Sequence, residues 1–213
     1  MAINRVIRHR RTTAPKNKSV SLSTENVTAQ VKKFLHLGEG KISTLHELWI
    51  DQLRDLYSAE NQLVEALPKM AEAASAPALQ DGFRTHLAET REHVRRLERI
   101  FKQFKESPEG KTCAAMKGLV KEGGETIHED ATPAVKDAAL IAAAQRVEHY
   151  EMAGYGTVRT YAQLMGHAAA AAILQSTLDE EGATNKKLTA AAKKLNIKPP
   201  LMKAARRIAV DRD

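Results

Sequence analysis

The sequence predicts an all-α protein: a four-helix bundle with a long crossover containing a short helix, flanked by basic segments. Three observations predict the helices. Four long stretches repeat their apolar residues at about 100° per residue, the helical period. Alanine is abundant while aromatics make up only 4% of the 213 residues, a composition that suits helices better than sheets. Gly and Pro fall mostly between the periodic stretches, where helices start and stop.

Residues 1–42 are read as a basic, disordered N-terminal tail. Residues 1–24 hold no acidic residue and many Arg, Lys, Ser and Thr. Organellar transit peptides share that pattern, but no continuous apolar core of a secretory signal is present. A short helical turn is expected over 26–36. The bundle is assigned to 43–195 and a second basic tail to 196–213.

The first long helix starts at Thr44, where Thr44-Leu-His-Glu47 matches a capping box. Its stripe is Leu53, Leu56, Tyr57, Glu60, Leu63, Val64 and Leu67. Glu60 lies in the middle, while Asp55 and Glu65 point away. Pro68 predicts a kink or weakening, and the helix is expected to end near Ser75. Ser75-Ala-Pro77 reads as an N-cap followed by a first-turn proline. The second helix then runs to about 106, where Ser107-Pro-Glu-Gly110 stops it. Leu79, Phe83, His86, Thr90, His93, Leu97, Ile100 and Phe104 share one face, with Glu89 at its edge.

Residues 111–131 form the connection, with a small helix expected over Cys113–Val120 before Gly123-Gly124. Thr132-Pro133 is another start signal, for a third long helix that ends before Gly166. Its stripe is Ile141, Ala144, Glu148, Met152, Tyr155 and Ala162. Glu148 is central, Glu151 lies at the edge one turn on, and His149 is about 100° away. The fourth helix, about 167–195, carries Ala170, Leu174, Leu178, Glu181, Asn185, Leu188 and Ala192. Glu181 is central, Thr184 flanks it, and Glu180 points further out. Short links within each helix pair and a long link between the pairs match the ferritin-like topology.

Charge is unevenly placed. Residues 1–41 carry nine Lys/Arg against two Glu, and 193–213 carry seven Lys/Arg against two Asp. The net charge is +7 overall, so the stretch between is acidic. Basic arms permit weak, non-specific contact with nucleic acid, but the near-absence of aromatics in them argues against specific single-strand binding. No run of about 18 apolar residues occurs, so no membrane span is expected. The single cysteine, Cys113, excludes an internal disulfide framework and fits a reducing, cytoplasmic setting.

Four helices each placing a glutamate in an apolar stripe is the feature that carries chemistry. Glu is almost never fully buried without a partner. One such residue is explained by an ion pair with Arg or Lys. Four carboxylates facing one another repel, and remain protonated unless cations intervene. Glu60, Glu89, Glu148 and Glu181 therefore make a candidate dimetal site, with His93 and Glu151 as further candidate ligands. His86 is placed in the second shell or as a satisfied core histidine. Tyr57 and Tyr155 lie one or two turns from the central glutamates, as packing aromatics or second-shell groups. The hardness of an oxygen-rich set favours two Fe or Mn ions over Zn or Cu.

Leu56-Tyr-Ser-Ala-Glu-Asn-Gln-Leu63, His86-Leu-Ala-Glu-Thr90, Asp137-Ala-Ala-Leu-Ile-Ala-Ala-Ala-Gln-Arg-Val-Glu-His-Tyr-Glu151 and Ala153-Gly-Tyr-Gly-Thr157 resemble the bacterial YciE/YciF proteins. The resemblance spans roughly 43–192. It implies a ferritin-like, rubrerythrin-like fold, a homodimer, a role in stress or oxidant response, and a dimetal site. By the wider family pattern, Glu60 and Glu148 are terminal ligands and Glu89 and Glu181 bridging ones. The chain departs from the usual Glu-x-x-His spacing: position 92 is Glu, the nearest histidine is His93, and Thr184 and Asn185 follow Glu181 at i+3 and i+4. Two readings follow. One is a redox-active dimetal protein using O₂ or peroxide, in the manner of a di-iron oxidase or peroxidase. The other is a non-enzymatic dimeric helical stress protein without a functional site, or one whose basic tails bind nucleic acid.

Overall fold

The computed structural model describes residues 42–196, with side chains through 194. The two expected tails and the turn at 26–36 lie outside the described residues. Within them the chain forms α1 (Leu45–Ala73), α2 (Pro77–Phe104), α3 (Ala114–His128), α4 (Pro133–Leu164) and α5 (Ala168–Asn196), and no strand. None of these helices is long and apolar enough to cross a membrane.

The capping box at the start of α1 forms as expected. Thr44 Oγ1 accepts the Glu47 N–H at 3.1 Å, and the Glu47 carboxylate accepts the Thr44 N–H at 3.0 Å. Pro68 does not end α1, which continues to Ala73. The entry to α2 differs from the expectation. Ala76, not Ser75, holds the N-cap position, and no side chain of the segment caps it. Instead the buried Asp137 carboxylate of α4 accepts the N–H groups of Ser75 (2.7 Å) and Ala76 (2.9 Å). A tertiary carboxylate thus serves the orphan donors that a local hydroxyl usually takes.

Helix α3 is longer than expected and runs through Gly123-Gly124. It packs on α1 and α4. Gly123 is buried, and a Cβ there would touch the Ala143 Cβ at 4.0 Å. Tertiary packing carries this helix past two residues of low helical propensity. At the far end, Gly166 takes φ +74° and turns the chain from α4 into α5.

Helix α1 packs along α2 and α4 along α5, and the pairs close on each other through α1–α4 and α2–α5 contacts. This is the ferritin-like arrangement of two helix pairs joined by a crossover. Two apolar clusters fill the interior. One contains Trp49, Leu53, Leu56, Ile100, Phe101, Tyr155 and Leu174. The other contains Leu63, Leu67, Leu79, Phe83, Ile141, Ala144 and Leu188. On every long helix the glutamates or histidines of the candidate site fall between the two clusters. The bundle is therefore an apolar core interrupted at mid-height by a polar layer.

Candidate metal centre

The polar layer is built from one or two side chains per long helix. Glu60 comes from α1, His86 and His93 from α2, Glu148 and Glu151 from α4, and Glu181 from α5. All six residues are buried, and Glu60, His93, Glu151 and Glu181 have no exposed surface. Helical spacing explains the pairing: His86 and His93 are seven residues apart and Glu148 and Glu151 three, so each pair shares a face.

The side chains converge as two overlapping groups. His86, Glu148, Glu151 and Glu181 each offer a ligand atom, mutually within 4.8 Å. Glu60, His93 and Glu181 do the same. Glu181 belongs to both. His86 Nε2 lies 3.2 Å from Glu148 Oε1. His93 Nδ1 lies 2.9 Å from Glu181 Oε1 and 3.4 Å from Glu60 Oε1, without hydrogen-bond alignment to either.

Charge balance is poor. Burial pushes the Glu60 carboxyl up, only partly offset by His93. Burial also raises Glu181, again against His93. Glu151 is pushed well above the usual carboxylate range by burial and by Glu181, Glu60 and Glu148. The imidazoles move the other way. Burial opposes charge on His86, but the Glu148 and Glu89 carboxylates beside it outweigh burial and lift its pKa to about 10. For His93, Glu181 and Glu60 outweigh burial and lift it to about 11. Four buried carboxylates thus share two imidazolium ions.

Many polar atoms of the layer have no hydrogen-bond partner. They are Glu60 Oε2, Glu148 Oε2, both Glu151 oxygens, both Glu181 oxygens, both His86 nitrogens and His93 Nδ1, with Thr90 Oγ1 beside them. Buried polar atoms are nearly always satisfied elsewhere in proteins. Here the unpaired atoms are those of the two groups whose side chains could hold a metal ion.

The sequence expectations fare unevenly. Glu60, Glu148 and Glu181 stand in the layer as expected. Glu151, expected at a stripe's edge, is at its centre. His86 is not peripheral but a full member of the four-residue group. Glu89 stands outside both groups, half-buried. It faces His86 Nδ1 (3.5 Å), Thr184 Oγ1 (3.4 Å) and Lys187 Nζ (3.7 Å), and its carboxyl is lowered, chiefly by His86. Tyr155 donates to Glu60 Oε1 at 2.5 Å in full burial. Tyr57 turns away and donates to Glu98 on α2 at 3.2 Å, so it does not support the layer.

Two supporting features escaped the sequence reading. Glu180 does not simply point outward: its Oε2 is 2.8 Å from His93 Nε2. Arg96 grips both Glu180 oxygens, at 2.6 and 2.8 Å. The result is a chain from Arg96 through Glu180 to His93, of the kind that orients a ligating imidazole. The available signal was Arg96 itself, three residues after His93 on the same helix flank. Beyond it, Tyr150 donates to Asp55 and lies 2.9 Å from Cys113 Sγ. Burial raises the Cys113 thiol.

Comparison with known proteins agrees with this architecture. A family model described as a domain of unknown function (DUF892) matches residues 44–198. Protein YciF of Escherichia coli (strain K12) is 44% identical over 149 residues, 70% of this chain and 90% of its own. The crystal structure of the E. coli stress protein YciF superposes with TM-score 0.72 at 43% identity, over 74% of this chain and all of that one. YcfI from Rhodopseudomonas palustris, described as a putative structural protein, is 44% identical with TM-score 0.69, over 71% of this chain and 96% of that one. A Xanthomonas campestris protein at 19% identity and TM-score 0.58 shares the fold.

Proposed function

The chain belongs to the YciE/YciF family of stress proteins, matched by DUF892 over most of its length, and we propose that it is a dimetal-carboxylate protein of oxidant response. The observation that carries this is the set of unpartnered carboxylate oxygens and imidazole nitrogens gathered from all four long helices. Glu148, Glu151, His86 and Glu181 would hold one ion, and Glu60, His93 and Glu181 a second, with Glu181 common to the two sets. The donor set is mostly carboxylate with one imidazole per ion, which suits Fe or Mn. When bound, such a pair supplies electron transfer with O₂ or peroxide as oxidant.

The chain's own residues do the rest. Tyr155 fixes the Glu60 carboxylate by its short hydrogen bond. Arg96 and Glu180 fix the His93 ring through Nε2 and leave Nδ1 facing Glu181 and Glu60. The two apolar clusters flank the layer above and below. Glu89, Thr184 and Lys187 edge it on the α2–α5 side.

Metal content by mass spectrometry on tag-free protein tests the reading. About two Fe or Mn per chain after anaerobic loading is expected, with an oxidation product on exposure to O₂ or peroxide. Both are to vanish in the Glu60→Ala/Glu148→Ala double variant. Unchanged metal content in that variant sinks the assignment. A second reading has its own observation: each histidine already lies against a carboxylate, His86 Nε2 at 3.2 Å from Glu148 and His93 Nδ1 at 2.9 Å from Glu181. In that reading the layer is a structural ion-pair network in a homodimeric stress protein. A chain that takes no Fe(II) or Mn(II) under any loading condition selects it. A DNA mobility shift at about 50 mM salt, lost on deleting residues 1–41 and 197–213, would add nucleic acid as a partner of the basic segments.

A further inference from the structure

Beside the polar layer, between α2 and α5, lies a cavity of about 550 Å³. Small residues make the room: Ala78, Gly82, Ala144 and Ala191 stand where larger side chains would close the helices together. Leu79, Phe83 and Leu188 make the wall apolar. At its inner end are His86 and Glu148, both buried and both with unpartnered atoms. At its edge are Lys187, 3.7 Å from the Glu89 carboxylate, and Lys194, seven residues further out on the same face of α5. From His86 to Ala78 the helical rise gives a length of roughly 12 Å.

We propose that this cavity binds a medium-chain aliphatic monocarboxylate, with its carboxylate on Lys194 at the outer mouth and its chain directed inward along Leu79, Phe83 and Leu188. Resting on the dimetal reading, this makes the cavity the seat of an organic substrate beside the metal pair. The volume is within the range of small-molecule sites, and an apolar wall with a few placed polar groups is their usual construction. Charge fixes the orientation. The inner end holds the Glu148 and Glu89 carboxylates, which repel an anionic head, with Lys187 turned to Glu89, and Lys194 leaves the outer mouth cationic. A fully apolar ligand would leave Lys194 without a role, and a sugar or nucleotide would strand its hydroxyls against Leu79, Phe83 and Leu188.

Calorimetric titration of the full-length, metal-loaded protein with sodium decanoate and with decan-1-ol tests the proposal. Saturable binding of decanoate is expected. Gly82→Phe fills the cavity: a Cβ at Gly82 meets no atom within 4 Å, so the ring has open space to enter. Decanoate binding is expected to weaken at least about tenfold in this variant, with metal content unchanged. Lys194→Ala is expected to weaken decanoate severalfold and leave decan-1-ol unaltered. No saturable binding, or binding untouched by both Gly82→Phe and a second filler, Ala191→Phe, overturns the proposal. Metal-free chain titrated in parallel separates the two readings. Decanoate binding by a chain that never takes Fe or Mn keeps the cavity and sinks only the metal pair. Two metals without decanoate binding sinks only the cavity.

Discussion

The two ends of the bundle are packed on different plans. Above the polar layer, Trp49, Phe101, Tyr155 and the branched residues around them leave almost nothing exposed. Tyr155 reaches down to Glu60, and Trp49 Nε1 donates to the Val158 carbonyl at 2.9 Å. Below the layer, α2 and α5 present Ala and Gly to each other and a cavity opens. Each end touches one histidine. His93 belongs to the closed end and is held on both nitrogens' sides, by Glu180 and by Glu181 with Glu60. His86 belongs to the open end. One layer is thus locked from one side and approachable from the other, as a site needs when it must keep its geometry and still admit a reactant.

The largest expected effect comes from the residue that joins both halves. Glu181→Gln keeps the size and removes the charge shared by the two ligand groups. Metal content is expected to fall from about two per chain to near zero. Glu89→Gln, at the rim, is expected to lose far less. Equal losses in the two variants would erase the distinction between layer and rim.

A smaller effect tests the lock. Tyr155→Phe removes the donor to Glu60 and leaves a fully buried carboxylate oxygen without its partner. Losing a hydrogen bond to a buried charged group costs about 1–3 kcal/mol, read as a lower urea midpoint with unchanged slope. Tyr57→Phe, whose hydroxyl meets only Glu98 near the surface, is expected to change stability little. If both behave alike, the closed end is not what holds Glu60.

The histidines give the metal-free protein a pH dependence of definite sign. Their folded pKa values, about 10 and about 11, lie above the ordinary value near 6.5. Their protonation therefore stabilises the fold fully below about pH 6.5, and that contribution is lost as pH rises toward about 10. The raised carboxyls of Glu60, Glu151 and Glu181 act with the same sign. Thermal midpoints of metal-free protein are expected to fall across this interval. Bound cations replace the protons, so metal-loaded protein is expected to hold its midpoint. Parallel pH profiles with and without metal would contradict the charge imbalance described for the layer.

How much of this the sequence carried depends on the range of the interaction. The four long helices, the capping box at Thr44 and the buried glutamates Glu60, Glu148 and Glu181 follow from periodicity and local chemistry. The α2 entry was misread because its cap, Asp137, comes from sixty residues away, and nothing local marks it. Glu151 and Glu89 exchanged importance for a geometric reason. Both sit at stripe edges, and only the packing of α4 against three neighbours, versus α2 beside a cavity, decides which edge is interior. Glu180 was placed outward because its helical angle says so. Arg96 on the facing helix draws it back over His93. Stripes locate a layer, while cross-helix partners settle its membership.

The smallest effect compares one glycine from each end. A Cβ at Gly154 would lie 2.7 Å from Leu56 Cδ2, a buried side chain in the closed end. A Cβ at Gly82 meets nothing within 4 Å. Replacing a helical glycine by alanine gains about 0.5–1 kcal/mol from propensity, and Gly82→Ala is expected to show that gain as a raised thermal midpoint. At Gly154 the same gain is opposed by overpacking, which costs about 1–3 kcal/mol. Gly154→Ala is therefore expected to be neutral or destabilising. The two changes are chemically identical, so the difference between their midpoints measures the packing contrast between the ends with propensity cancelled. A zero difference would mean that Leu56 can move aside, and that the upper cluster is looser than its burial implies.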